Sequence, residues 1–132
     1  MKGPQTSIYV DSRRVYRFLT VMLLAGLAHG LYRGVQDNYL AEIVRINEFE
    51  RGVVEFFREV PGLLLIFILA TMYRFSETKV FKIGTAITLT GTLGLLLFGT
   101  GKIVVVLFMV LYSLGEHIVM PVKHTISLHL AR

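Results

Sequence analysis

Four long apolar runs, separated by short polar stretches, divide this chain. The first carries no acid or base from Phe18 to Ala28, continues through Gly30 and Leu31, and passes into a mixed stretch from Arg33 to Ile43. The second is apolar from Val60 to Tyr73, the third from Phe81 to Gly99, and the fourth from Ile103 to Leu114, where it meets Gly115-Glu116-His117 and Pro121. A helix needs roughly 20 apolar residues to cross the hydrocarbon of a bilayer. The pattern therefore predicts an all-α polytopic transmembrane helix bundle of about four spans, near 15–41, 50–73, 81–99 and 103–125, behind a basic cytoplasmic lead-in over 1–14. Four runs near span length, joined by short loops, do not suit the core of a water-soluble bundle.

The second run is the informative one. Its apolar stretch is only 14 residues long, short of the roughly 20 that a crossing needs. The helix must start earlier, near Phe49–Gly52, and so must carry Glu55, Arg58 and Glu59. Asn47, in the loop Arg45–Glu50, is a natural break or cap before it.

Composition changes the picture in three places. The apolar fraction is 54% and the charged fraction 17%, against about 45–50% and about 25% in ordinary soluble domains. The chain has no cysteine, which excludes disulfides, thiol catalysis and cysteine-ligated metals. The formal net charge is +5, but the basic residues flank the apolar runs, which points to topology rather than to nucleic acid. On one side lie Lys2, Arg13, Arg14, Arg17, Arg74, Lys79, Lys82, Lys123 and Arg132; on the other, Arg33, Arg45, Arg51, Arg58 and Lys102 with most of the acids. The asymmetry predicts that both termini are cytoplasmic. The first run continues to Gly30–Leu31 with no small-x-small cleavage site before a polar mature domain, so it reads as an uncleaved span rather than a signal peptide, and the expected location is the cell membrane.

Four constellations are candidates for chemistry. Glu55, Arg58 and Glu59, with Asp37 and Arg33 at matching depth on span one, form an ionisable cluster whose opposite charges pair along a helix. Charge near hydrocarbon is costly and normally faces a bundle interior or an aqueous cavity. The cluster reads either as a pathway for a charged solute or coupling proton, or as a helix end wetted by headgroups. His29, near the middle of span one, is either a proton relay or a hydrogen bond between helices. Gly26, Gly30 and Gly34, and Gly91 among the small residues of span three, repeat the spacing that lets helix backbones approach closely. Glu116 beside Pro121 is either a coupling site next to a kink or an acid at the interface. No phosphate-binding glycine loop, His-Glu-x-x-His pair or Gly-x-Ser-x-Gly elbow occurs. The expectation is a non-enzyme with no cofactor and no metal.

The layout resembles the first four helices of a major facilitator superfamily transporter, from about Val15 to Arg132. The residues that carry the resemblance are the first span's end, Asp37-Asn-Tyr-Leu-Ala-Glu-Ile, the opening of span two, Phe49-Glu-Arg-Gly-Val-Val-Glu-Phe-Phe-Arg-Glu-Val-Pro-Gly-Leu-Leu, and Tyr112-Ser-Leu-Gly-Glu-His-Ile-Val-Met-Pro in span four. The loop Tyr73-Arg-Phe-Ser-Glu-Thr-Lys-Val-Phe-Lys82 keeps the family's basic character but not its glycines or its Asp-Arg pair. The resemblance implies secondary transport of a small solute by alternating access, in some members with a coupling proton or ion. It also implies that the chain is a portion of a longer bundle, whose remaining helices are its partners along with the lipid bilayer. Two other readings stand beside it. One is a complete four-helix exporter acting as a homodimer, similar in length to small multidrug exporters; the other is a membrane scaffold without transport.

Overall fold

The structure, a computed structural model, describes residues 12–130; the start of the lead-in and the last two residues lie outside the described residues. Helix α1 spans Ser12–Asn38 and passes into a wider π turn, Tyr39–Ile43. Then follow α2 (Glu48–Leu63), α3 (Leu65–Met72), α4 (Glu77–Phe98) and α5 (Lys102–Leu130). Among the described residues there is no strand, so the fold is all-α.

The local chemistry explains the boundaries. After the π turn the chain reverses at Arg45, whose φ of 56° lies in the left-handed region that side chains other than glycine rarely enter. Asn47 then caps α2 reciprocally: its side chain accepts from the Glu50 N–H while the Glu50 carboxylate accepts from the Asn47 N–H. This satisfies donors that a helix start leaves unpaired. The stretch expected as one second span is built as two helices. Pro61 has no N–H to donate to the turn before it, and the break follows at Leu64, with α3 resuming on the bond from the Ile68 N–H to Leu64. Helix α5, by contrast, runs through Pro121 without interruption.

Helices α4 and α5 form the tightest pair. Gly84, Gly91, Gly94 and Gly115 are all buried at their seam, and a Cβ at Gly91 would fall 2.5 Å from the Tyr112 backbone nitrogen. Thr85, Thr88, Thr90 and Thr92 each donate their hydroxyl to a carbonyl four residues earlier in α4, so the helix satisfies its own polar side chains. Helix α2 also packs on α5.

Two apolar clusters sit at opposite ends of α5. One gathers Leu40, Val44 and Val54 around Val105 and Met109; the other joins Val80 to Ile118 and Val122. Large apolar side chains such as Ile66, Leu96 and Ile103 point away from both and are about 80% exposed. Three helices, Ser12–Ile43, Glu77–Phe98 and Lys102–Leu130, are long and apolar enough to cross a membrane, and no residue of the most apolar stretch of the first is buried.

Candidate functional site

Between the two apolar clusters lies a polar cleft of about 250 Å³, walled by α1, α2 and α5. Helical spacing explains its composition. Tyr112 and Glu116, and Ser113 and His117, are pairs four residues apart on α5, which places them on one face. His29 and Arg33 are likewise four apart on α1, and Glu55, Arg58 and Glu59 share one side of α2. Ser113 lies eleven residues into α5, so at 1.5 Å per residue the cleft is roughly 16 Å from that helix start, about half the ~30 Å that a crossing helix must span.

Arg58 organises the α2 wall. Its Nη2 lies 2.6 Å from Glu55 Oε2 and 2.9 Å from Glu59 Oε1, and its side chain is only 16% exposed. Its carbonyl accepts a 2.5 Å hydrogen bond from Ser113 Oγ, which ties α2 to α5. Next to it, His117 Nδ1 lies 2.8 Å from the Ser113 carbonyl oxygen. A carbonyl only accepts, so this contact assigns the proton to Nδ1 and leaves Nε2 with a free lone pair. That Nε2 faces Glu59 Oε2 at 3.9 Å. Gly62 makes room for the ring, since a Cβ there would lie 2.6 Å from Nε2.

The α1 wall carries a second histidine–carboxylate pair. His29 Nδ1 is 3.0 Å from the Tyr112 hydroxyl and 3.2 Å from Glu116 Oε2. One turn on, Tyr32 stacks on Tyr112 with centroids 3.9 Å apart. Three buried polar atoms on α1 and α2 have no partner among the described residues: Tyr32 Oη, Gln36 Oε1 and Arg58 Nε. Such orphans are few in folded proteins, and each calls for water, an ion or a ligand.

Of the residues singled out from sequence, His29, Arg58, Glu59 and Glu116 line this one cleft, and Glu55 reaches it through Arg58. Asp37 stands apart, in a 2.5 Å ion pair with Arg51. Gly91 is buried against Tyr112, whereas Gly26, Gly30 and Gly34 lie on an open face of α1 where an added Cβ would meet nothing within 4 Å. The cleft also draws in Arg33, Tyr112, Ser113, His117 and Met120. The four-residue spacings on α5 are the signal that could have found Tyr112, Ser113 and His117. Among the described residues, no cluster of three or more histidines and acids could hold a metal ion.

At the chain-reversal end, Lys102 Nζ lies 2.7 Å from both Glu50 oxygens. This contact, helped by the Asn47 N–H, holds the Glu50 carboxyl below the usual carboxylate range. Beside it, the Tyr39 hydroxyl donates to the Gly99 carbonyl, tying the π turn to the end of α4. Comparison of the chain with family models, with curated proteins and with solved structures gave no match.

Proposed function

We propose that this chain is part of a secondary transporter of the major facilitator type and that the polar cleft is its solute and proton pathway. The observation that carries the reading is the pairing of two histidines with two carboxylates across the cleft, around Arg58, between helices whose other faces are apolar. Ionisable groups at such a depth usually mark substrate or proton routes. Histidine is the side chain whose charge ordinarily changes near neutral pH. The pair His117–Glu59 is suited to share a proton, because the His117 Nε2 lone pair faces an acid. Protonation of either partner turns a repulsive contact into a hydrogen bond or an ion pair.

In this reading α2 and α3 together make the second of four crossings, broken near Pro61, in the cell membrane with both termini cytoplasmic. Lys79 and Lys82 at the start of α4 and Lys123 toward the end of α5 support that orientation. The remaining helices of the transporter would cover the open face of α1.

The test uses membrane vesicles from cells that make the protein, loaded with a pH-sensitive dye under an imposed proton gradient. Small carboxylates, phosphates, amines and sugars are added one class at a time. The expected result is that one class collapses the gradient with the native protein and fails to do so with Glu59→Gln or His117→Asn. If no class distinguishes the native vesicles from the variants, the reading is wrong.

A second reading, a four-helix exporter working as a homodimer, is favoured by one observation: Gly26, Gly30 and Gly34 present an unoccupied close-packing face on α1. Cross-linking of Gly30→Cys to itself across two chains in the membrane would favour it over the first; cross-linking to a different polypeptide would not.

A further inference from the structure

We propose that a second pocket, apart from the polar cleft, binds an uncharged, bilayer-soluble molecule carrying a hydroxyl, and that the Gln36 carboxamide recognises that hydroxyl. The pocket, about 360 Å³ in volume, lies between α1 and α4, and the buried Met109 of α5 completes its lining. Ala28, Tyr32 and Gln36 are four apart on α1, as are Thr92 and Leu96 on α4, so each helix turns one face to it. Its size is at the small end of ligand pockets, which run roughly 300–1,000 Å³. Nothing here rests on the transport reading. Tyr32 lines this pocket and Tyr112 lines the cleft, and their stacked rings stand between the two.

The lining selects the chemistry. None of the residues around the pocket is charged, so a charged guest would leave water without gaining a counter-charge. Two of its hydroxyls are already used: Thr92 donates to the Thr88 carbonyl and Tyr39 to the Gly99 carbonyl. Gln36 differs. It is only 6% exposed, and its Oε1 is buried without a partner, a costly arrangement that calls for a hydrogen bond. A half-turn of the carboxamide exchanges its oxygen and its N–H groups. A hydroxyl both donates and accepts, so an alcohol or a phenol satisfies whichever end faces it. Water would serve the amide, but an ordered water needs roughly two to four polar partners, and the other walls are mainly apolar.

The rim selects the route. Leu31 and Val35 on α1 and Leu96 on α4 line the pocket and are themselves exposed. Both helices are long and apolar enough to cross a membrane. In a bilayer these side chains meet lipid tails, so the guest enters sideways from the hydrocarbon. A bare hydrocarbon tail could fill the space but would leave the Gln36 amide unsatisfied, and the hydroxyl is what separates a bound guest from bulk lipid.

The test compares guests that differ in the hydroxyl alone. Protein in phosphatidylcholine nanodiscs is photolabelled with a diazirine-bearing phenol, and the labelled residues are identified by mass spectrometry. Thymol, its methyl ether and isopropylbenzoate compete at matched concentrations in the bilayer. Saturable labelling is expected on α1 and α4 around Gln36. Thymol should displace it at about tenfold lower concentration than the ether, because a site built to bond a hydroxyl rejects the analogue without one. The carboxylate should not displace it. Gln36→Leu should bring thymol and its ether level, and Gln36→Asn, which keeps the amide, should preserve part of the difference. Labelling that rises without saturation is mere partitioning into lipid and overturns the proposal. So does equal displacement by thymol and its ether in the native protein, or a preference for thymol that survives in a folded Gln36→Leu variant. The native comparison decides the matter even where Gln36→Leu fails to fold.

Discussion

The two seams that α5 makes, with α4 and with α1, use the same residue type for opposite ends. On the α4 side glycine is spent on contact: Gly84, Gly91, Gly94 and Gly115 are buried, and a Cβ at any of them would strike the neighbouring helix. On the α1 side Gly26, Gly30 and Gly34 touch nothing, and the link to α5 is made by His29 and Tyr32 on Tyr112 and Glu116. The first seam is dry and closed by packing, which is how helices associate when lipid removes the hydrophobic drive. The second is polar, partly open and held by a histidine–carboxylate contact and an aromatic stack. On the proposed transport reading, a closely packed seam beside a sparsely held one supplies a fixed wall and a movable one.

The largest expected effect breaks the dry seam. Gly91→Ala or Gly115→Ala should destabilise the chain by about 1–3 kcal/mol, the usual cost of overpacking. Gly30→Ala should be neutral or stabilising by up to about 1 kcal/mol, since only helix propensity changes there. Thermal unfolding in one detergent compares them, and equal losses at all three would erase the distinction. Next, Arg58→Ala strips Glu55 and Glu59 of their cation and should lower transport about tenfold, equivalent to about 1.4 kcal/mol, while membrane insertion persists; Glu55→Gln should impair it less. Full activity of both in the vesicle assay would remove them from the pathway.

A gentler change sharpens the wet seam. Gly62→Ala pushes the His117 ring, the movable end of a side chain, away from Glu59. It should lower transport in the vesicle assay less than Arg58→Ala does, with little loss of stability. The smallest effect concerns the chain-reversal end. Because Lys102 holds the Glu50 carboxyl below its ordinary range, this pair stabilises the fold above the ordinary carboxylate range and stops doing so as pH falls through the lowered value. Glu50→Gln should remove that part of the acid sensitivity in a melting series, leaving the unfolding midpoint less dependent on pH.

How far these seams are legible in sequence depends on which distances are local. The helical class follows from the apolar runs, and Asn47 with Glu50 announces the start of α2 because a capping box needs only four consecutive residues. The cluster Glu55, Arg58 and Glu59 is visible for the same reason, through spacing on one helix. The break at Leu64 was hidden, because Pro61 signals a defect but not whether the helix kinks or stops, as the uninterrupted Pro121 demonstrates. The meeting of His29 with Glu116, and of His117 with Glu59, was not legible, since each joins residues far apart in sequence. The opposite fates of Gly91 and Gly30 were hidden too, because their spacing is the same and only the neighbour differs.

The cysteine-free sequence offers the most direct test of the contrast between wet and dry. Single cysteines at His29 and Met120 in the cleft, at Thr88 in the dry seam and at Leu96 on the exposed apolar face are reacted in membranes with a charged, water-borne thiol reagent. Thiols react as thiolates and so need water. The expected result is fast modification at positions 29 and 120, and negligible modification at positions 88 and 96. Slow modification at all four, or modification at 88 as fast as at 29, would contradict the account.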